Sequence, residues 1–349
     1  MGIVQRSGSA PDDELVAGLL RGEAYGAADE TVAHLETHIS HVFLIGEHAY
    51  KIKKSLDLGF LDFSTLEKRR QACEEELRIN CRTSPDLYLA VVPITGTRAQ
   101  PRVEGAGTAL EYAVKMLRFA QDDLLDRVFE RGALTGKLID PFAAQLARFH
   151  GAVSRAAPGS RHGDARSIIE PAEQNFTQLA PLLDEAADGA RLERIRQWTA
   201  RQHALLAAEF ASRQQDGFVR ECHGDLHLGN LVLIRGAIRM FDAIEFNDAL
   251  RWIDVISEVA FLVMDLRLRG RADLAARFLN AYLETTGDYA GVRVLPYYVV
   301  YRALVRAKVA AMRARQPGLS DAQAESYRAK CRAHLDFAER CIDPPPAML

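Results

Sequence analysis

The hydrophobic pattern of this chain changes from strand-like to helix-like near residue 120. Before that point, His41–Ile45 and Ala49–Lys53 flank a Gly-Glu-His turn, and the second run alternates apolar and polar residues. This pattern predicts a β-hairpin. Two further strands are predicted over Leu87–Ile94 and Ala109–Arg118, because a turn rich in Gly, Thr and Pro separates them. The first third of the chain is therefore expected to be rich in strands.

Helices interrupt and then follow these strands. Ser64 and Glu67 suit a capping box at the start of a helix that ends at Asn80. After residue 120 apolar residues recur at helical spacing, and a strand-like pattern returns only as a short hairpin over Leu231–Ile234 and Ile238–Phe241. The predicted later helices are Asp122–Glu130, Pro141–Ser154, Leu192–Arg213, Trp252–Arg267, Tyr297–Arg315 and one that begins at Ser320.

This order of elements predicts an α+β fold with a small β-rich part and a larger helical part. We expect an N-terminal helix and loop over residues 1–30, with the helix at Asp13–Arg21. A β-rich lobe with one helix should follow over 31–119, then a helical lobe over 120–342 and a Pro-rich tail over 343–349. Clefts between such parts are frequent ligand sites.

The composition excludes several classes of protein. The formal net charge is only −3, so a strongly basic nucleic-acid surface is not expected. Five cysteines without a Cys-x-x-Cys pair favour reduced thiols, and the longest apolar run, Val259–Met264, is too short to span a bilayer. The N-terminus lacks an apolar signal core. We therefore expect a cytoplasmic protein that binds neither nucleic acid nor membrane.

The segment His223-Gly-Asp-Leu-His-Leu-Gly-Asn230, followed by a hairpin and Asp242, carries the clearest chemistry. Transfer of a γ-phosphoryl group needs Mg²⁺, which prefers hard oxygen ligands. Asn230 and Asp242 can supply such ligands, because a tight hairpin returns the chain to where it left. Asp225 precedes the hairpin and is placed to orient an acceptor hydroxyl and take its proton. His223 would brace the loop.

This segment resembles the catalytic loop and metal-binding segment of the protein-kinase-like superfamily. The His-Gly-Asp-Leu-His form is similar to the aminoglycoside-phosphotransferase and choline-kinase branch. The resemblance implies a two-lobed protein-kinase-like fold that uses ATP and Mg²⁺, with Asp225 as catalytic base and Asn230 and Asp242 as metal ligands. The usual Asp-Phe-Gly is Asp-Ala-Ile here, so a flipping activation switch is not expected.

A kinase-like site also needs a lysine that holds phosphates and an acid that holds the lysine. Lys51 and Lys53 alternate onto one strand face, so spacing leaves both open. The stretch Tyr-Lys-x-Lys resembles an uncharacterised bacterial branch of the superfamily, which favours Lys51. The acid is expected among residues 74–76, and the same resemblance favours Glu76. The alternative for these acids is a solvated helix face.

That bacterial branch often carries a second, P-loop ATP-binding domain after the kinase-like domain. No Gly-x-x-x-x-Gly-Lys-Ser/Thr occurs in this chain. A stand-alone version, a truncated form and a separate or fused P-loop partner are all compatible with the sequence.

Three further residues are expected by resemblance. Asp254 is similar to the superfamily acid that hydrogen-bonds the backbone of the catalytic loop, although an exposed acid at a helix N-terminus is the alternative. Adenine is expected against the segment from Met116 to Phe119, although Met116 could equally be core. No Gly-x-Gly-x-x-Gly covers the phosphates, and Ser40 is expected to do so instead.

The sequence therefore predicts in-line transfer of the γ-phosphate of ATP to a hydroxyl of a small molecule, with GTP as an alternative donor. Acids near Asp225 in the sequence, namely Glu221, Glu245 and Asp248, favour a cationic or polyhydroxylated acceptor. Two alternatives remain open: a catalytically silent, nucleotide-binding pseudokinase that acts as a scaffold, and a protein kinase.

Overall fold

A computed structural model describes residues 10–37, 39–57, 61–183, 186–316 and 318–343. The described residues fall into two compact units. One lies within Met1–Arg131 and Gly229–Asp248, and the other within Gly132–Leu228 and Ala249–Leu349. The predicted hairpin near residue 235 thus belongs to the unit that is formed mainly by the first third of the chain. The lobe boundaries drawn from the sequence stay predictions.

A six-stranded antiparallel sheet forms the centre of the first unit, with the strand order β1-β2-β3-β6-β4-β5. The predicted first hairpin is confirmed, because β2 pairs with β3 from Ser40 opposite Lys53 to Ile45 opposite His48. Strands β3 and β4 both pair with β6. The strands are β1 Ala33–Glu36, β2 Ser40–Ile45, β3 His48–Lys53, β4 Tyr88–Gly96, β5 Pro101–Val103 and β6 Glu111–Leu117.

The described residues of this unit also form three α-helices: α1 Ala10–Leu19, α2 Leu66–Asn80 and α3 Leu125–Glu130. The predicted cap of α2 is off by one residue. The Ser64 backbone N–H and hydroxyl both donate to Asp62, so Ser64 forms a turn before the helix. The Thr65 hydroxyl caps α2 by accepting a hydrogen bond from the N–H of Lys68 at 3.3 Å.

The hairpin of β8 (Leu231–Ile234) and β9 (Ala237–Met240) is confirmed and belongs to the first unit. Its turn has positive φ angles at Arg235 and Gly236, 49° and 78°, as a two-residue hairpin turn of this hand requires. The Ser84 hydroxyl donates to the Met240 carbonyl at 2.8 Å, which fixes the hairpin against the segment that follows α2.

The second unit is mainly helical and contains one pair of short strands, β7 Val219–Glu221 and β10 Trp252–Asp254. The α+β class is therefore confirmed. The helices are α4 Gly136–Ala152, α5 Ala165–Leu179, α6 Ala186–Leu205, α7 Ala207–Gln215, α8 Val255–Leu268, α9 Ala272–Thr286, α10 Leu295–Ala314 and α11 Asp321–Ile342.

The bounds of several predicted helices in this unit are wrong, and α4 begins at Gly136 instead of Pro141. The helix predicted from Trp252 begins only at Val255, because the three preceding residues pair as a strand with β7. The helix predicted over Leu192–Arg213 divides at Leu206, which leaves helical geometry with ψ near 9°. The sequence analysis also missed α5 and α9.

Helix α8 lies at the centre of the second unit. Its residues from Val255 to Leu266 are all buried, including the carboxylates of Glu258 and Asp265. A buried carboxylate needs hydrogen-bond donors to offset its loss of hydration. No helix in the described part of the chain combines the length and apolar character that a membrane crossing requires.

Candidate active site

The loop that contains Asp225 is held by a carboxylate from α8. One oxygen of Glu258 accepts hydrogen bonds from the backbone N–H groups of His223 and Gly224, each at 2.7 Å. Its other oxygen lies 2.7 Å from Nε2 of His150. Burial alone would raise the pKa of Glu258, but the hydrogen bond and charge of His150 hold it below its usual range. Glu258 is therefore an ionised anchor for the loop backbone.

Two more contacts fix the same loop. Buried Arg302 donates to the carbonyl of Gly224 at 3.0 Å and to Ser257. Asp265 accepts a hydrogen bond from the N–H of Leu228 at 2.9 Å. The loop backbone is thus held near its beginning, at Gly224, and again at Leu228.

The Asp225 side chain remains partly open to solvent, with 31% exposure. Its backbone N–H lies 3.3 Å from Nδ1 of buried His223, which fits the predicted bracing role of that histidine. Nε2 of His227 lies 3.4 Å from Oδ2 of Asp225. Burial would raise the pKa of Asp225, but His227 and the charge of Arg306 bring it well below its usual range. The carboxylate is ionised at neutral pH.

A lysine and two acids meet in the first unit. Nζ of Lys51 lies 2.8 Å from Oε1 of Glu76 on α2 and also donates to Oδ1 of Asp242. The Asp242 carboxylate is 45% exposed, and its backbone adopts a φ of 61°. The Tyr88 hydroxyl accepts a hydrogen bond from the N–H of Asp242 at 2.9 Å, which holds this strained backbone. The expected lysine, helix acid and metal-ligand acid are therefore in contact.

Lys53 extends this cluster on its buried side. It donates to the second oxygen of Glu76 and to Glu245. Glu76 thus bridges both lysines, one with each oxygen. Burial would raise the pKa of Glu76, but Lys51 and Lys53 lower it overall; burial prevails at Glu245, whose pKa is raised. The Lys53 side chain is fully buried, whereas Lys51 contacts the partly exposed carboxylate of Asp242.

Asn230 and Asp242 lie at the two ends of the β8-β9 hairpin. The carbonyl of Asn230 accepts a hydrogen bond from the N–H of Phe241 at 3.1 Å. The hairpin therefore returns the chain beside Asn230 one residue before Asp242. This is the backbone arrangement on which the predicted pair of metal ligands depends.

Four sequence expectations do not match the positions of their residues. Ser40 is fully buried, and its hydroxyl has no hydrogen-bond partner among the described residues, so it is not open to phosphates. Met116 is 6% exposed within the sheet core, opposite Ala49 and Tyr88. This is the core position that was the alternative to an adenine contact.

The acids expected to attract a cationic acceptor also differ from expectation. Glu245 is buried and bound to Lys53, because the lysine needs a second carboxylate beside Glu76. Glu221 is buried, and its Oε1 lies 3.1 Å from Nε of Arg251. The charges of Glu245 and Glu221 are therefore already neutralised by basic partners, whereas Asp248 is exposed.

Among the described residues, the contacts of Asp254 do not involve the loop that contains Asp225. Its carboxylate caps α8 by accepting the N–H of Ile256 at 2.8 Å and forms two hydrogen bonds with Arg213. The role expected for Asp254 is filled by Glu258, one helical turn later, because strand β10 delays the start of the helix.

Comparison with known proteins identifies the family. The model of the phosphotransferase enzyme family matches residues 99–295, more than half of the chain. The chain belongs to this family. Within the match lie Asp225, Asn230 and Asp242, whereas Lys51 and Glu76 precede it.

Curated relatives of this family member come from mycobacteria. Uncharacterized protein Rv2004c of Mycobacterium tuberculosis strain H37Rv is 31% identical over 307 residues, which cover 88% of this chain and 60% of that protein. A protein of Mycobacterium bovis gives the same values. The chain thus spans about three fifths of the length of the curated relatives it matches.

Solved structures of similar fold confirm the protein-kinase-like architecture. An amicoumacin kinase in complex with AMP-PNP, Ca²⁺ and its ligand has a TM-score of 0.53 at 13% identity, with 94% of this chain and 93% of that chain covered. A choline/ethanolamine kinase family protein from Mesorhizobium loti has a TM-score of 0.53 at 11% identity, with coverages of 95% and 98%. A microcompartment-associated aminopropanol kinase has a TM-score of 0.53 at 16% identity, with 93% of this chain and 97% of that chain covered.

The sequence analysis missed several residues that hold the site. Glu258 had a usable signal, since a glutamate inside the apolar run of α8 is a buried charge that needs partners. Arg302, Arg306 and Tyr88 had no such signal, because basic and aromatic residues are common in any amphipathic helix or strand. Their roles depend on contacts between residues far apart in the chain.

Proposed function

We propose that this family member transfers the γ-phosphate of ATP to a hydroxyl group of a small molecule in a reaction that depends on Mg²⁺. Asp225 acts as the base, Lys51 holds the phosphates, and Glu76 holds Lys51. Asn230 and Asp242 are the metal ligands. The proposal combines the family membership with the contacts of Lys51 with Glu76 and Asp242.

The observation that carries the proposal is the contact of Lys51 with both Glu76 and Asp242. A lysine that serves only stability gains little from a half-exposed second carboxylate. A phosphotransferase needs this lysine beside the metal-binding acid, because phosphate oxygens must meet both charges.

The residues present fit a divalent cation. Asp242 offers a partly exposed carboxylate and Asn230 an amide oxygen, which are the hard ligands that Mg²⁺ prefers. The Tyr88 hydroxyl accepts a hydrogen bond from the backbone N–H of Asp242, which fixes the backbone that carries this carboxylate. When bound, the cation would neutralise charge on the phosphate oxygens.

The protein residues then divide the remaining work. Lys51 balances phosphate charge, and Glu76 keeps its ammonium group in place. Asp225 orients the acceptor hydroxyl and takes its proton as the new oxygen–phosphorus bond forms. Its lowered pKa makes it a weak base, so its main contribution is orientation, and proton transfer is late. ADP is the leaving group.

A test of this function is ADP release from Mg-ATP with a panel of sugars, amino sugars, choline, hydroxy acids and nucleosides. We expect one acceptor class to stimulate release and Asp225→Asn to lower the stimulated rate by about 100-fold or more. Asp273→Asn, which changes an exposed acid on α9 bound to Arg271, is the matched control and should leave the rate unchanged.

Nucleotide binding provides the second arm. Calorimetry should give a lower affinity for Mg-AMP-PNP in Lys51→Met than in the wild type. Equal affinity in both proteins, or stimulated ADP release that survives Asp225→Asn, would refute the proposed roles. Phosphate incorporated into protein instead of a small molecule would favour a protein kinase.

A further inference from the structure

Arg306 on α10 is a half-buried cation that forms no ion pair with an acid in the part of the chain that the structure describes. Other arginines in or near the core of the second unit have their donors occupied: Arg213 is paired with Asp254 and Asp288, and Arg269 with Asp265. Buried Arg302 donates to three oxygens of Gly224 and Ser257. Arg306 has one polar contact among the described residues, from Nη1 to Nε2 of His227 at 3.0 Å. A guanidinium group has five N–H donors, so most of its capacity is unused.

The position of this arginine links it to the expected base. Nε2 of His227 lies 3.0 Å from Arg306 and 3.4 Å from Oδ2 of Asp225. One imidazole edge therefore separates the guanidinium from the carboxylate. The two short distances bring both groups within reach of one small molecule. The charge of Arg306 already acts on Asp225, since it helps to lower the pKa of that carboxyl.

Other charges near Asp225 do not offset Arg306. Asp265 on α8 is bound to Arg269 at 2.8 Å and accepts a hydrogen bond from the loop backbone at Leu228. Glu221 is bound to Arg251 at 3.1 Å. Asp265 and Glu221 are therefore already paired with arginines, whereas Arg306 has no ion pair with an acid among the described residues.

We propose that the acceptor is an anionic hydroxy compound, whose hydroxyl meets Asp225 and whose carboxylate or phosphate group is bound by Arg306. This rests on the proposed function and names the substrate class of that site. The planar guanidinium group can donate two parallel hydrogen bonds to the oxygens of either a carboxylate or a phosphate group. In the reaction the hydroxyl oxygen bonds to the γ-phosphorus and the bond to the β,γ-bridging oxygen breaks. The hydroxyl proton passes to Asp225, and ADP leaves.

The test uses four compounds that share a three-carbon hydroxylated skeleton and differ in charge. These are glycerate, glycerol 3-phosphate, glycerol and 3-amino-1,2-propanediol. Each is titrated by calorimetry into the full chain saturated with Mg-AMP-PNP, so that phosphate cannot enter the nucleotide site. We expect at least one anionic compound to bind about tenfold or more tighter than glycerol and the amine, the gain of a charge-assisted hydrogen bond.

Variants of α10 assign the effect to one side chain. Arg306→Gln, which can still donate to His227, should remove the preference for the anion. Arg306→Lys should retain part of it. Arg313→Gln is the matched control, because Arg313 is a half-buried arginine on the same helix, roughly 10 Å further along. It should bind the four compounds as the wild type does.

Several outcomes would overturn the inference. These are equal or tighter binding of glycerol or the amine, no binding of either anion, and a preference that survives in Arg306→Gln. The two anionic arms distinguish a carboxylate from a phosphate. Failure of the proposed function gives a different result, namely an affinity for Mg-AMP-PNP that is unchanged in Lys51→Met. That result is independent of the acceptor titrations.

Discussion

The two groups of candidate residues are held in place by different physical means. In the first unit, lysine and carboxylate side chains neutralise one another around Glu76. In the second unit, the carboxylate of Glu258 accepts hydrogen bonds from the backbone of the loop itself. The first arrangement positions charges, whereas the second positions a segment of chain.

This difference decides which contacts must change when a ligand binds. The ion pair of Lys51 with Asp242 joins the two groups that are proposed to bind phosphate and metal, so under the proposed function it opens when they bind. The contacts of Glu258 involve no group that a ligand would use. Under the proposed function, the loop keeps its contacts when a ligand binds, whereas Lys51 exchanges Asp242 for a phosphate group.

The largest expected effect comes from the loop anchor. Glu258→Ala leaves two buried N–H groups and His150 without their acceptor, so we expect a loss of about 3–5 kcal/mol in the free energy of unfolding. Urea denaturation measures it. Glu284→Ala, at an exposed glutamate on α9, should change stability by less than about 0.5 kcal/mol. Equal effects in the two variants would mean that the anchor contributes nothing.

The buried lysine should have the next largest effect. Lys53→Met leaves Glu76 with one partner and Glu245 without its lysine, so we expect a loss of about 3 kcal/mol in unfolding free energy. Adding Glu245→Gln removes the stranded charge and should recover part of that loss. A double variant no more stable than Lys53→Met alone would contradict the pairing.

The sequence predicted local features of the site better than distant contacts. Alternation along β3 predicted that Lys51 and Lys53 share a face, and both do contact Glu76. The hairpin between Asn230 and Asp242 followed from local apolar runs. Such patterns depend on neighbours within a few residues, which the sequence displays directly.

The missed contacts depend on long-range folding. Lys53 and Glu245 are 192 residues apart, and Glu258 lies 35 residues from His223. The choice of Asp254 over Glu258 failed for a local reason: strand β10 occupies the predicted first turn of the helix. Pairing with β7 overrode helix propensity there, as tertiary context often does.

Lys51 should affect ligand binding more than stability. Its removal leaves Glu76 bound to Lys53 and leaves Asp242, which is partly exposed, in contact with water. We expect Lys51→Met to lower the affinity for Mg-AMP-PNP by about 10- to 100-fold, the loss of one charge-assisted hydrogen bond. Calorimetry measures the affinity. Lys53→Met, measured at a temperature where this variant is folded, should lower the affinity less than Lys51→Met does. The opposite order would mean that Lys53 holds the phosphates.

The pH dependence of stability should distinguish the two groups of residues, and this is the smallest of the expected effects. The pKa of Glu258 is lowered in the folded chain, so its contribution is present above its unfolded value of about 4.3 and is lost as the pH falls through the folded value. Burial raises the pKa of Glu245, so this carboxyl opposes folding as the pH rises from about 4.3 through the folded value.

Substitution by glutamine should therefore change the pH profile in opposite ways. In Glu258→Gln, stability should fall less on acidification than in the wild type, because no proton is taken up at this position on unfolding. In Glu245→Gln, stability should rise more steeply with pH above about 4.3, because an opposing titration is removed. Urea denaturation at a series of pH values from about 3.5 to about 7 measures both slopes. Slopes that change in the same direction would mean that the two carboxylates share one kind of environment, against the contrast between paired charges and an anchored backbone.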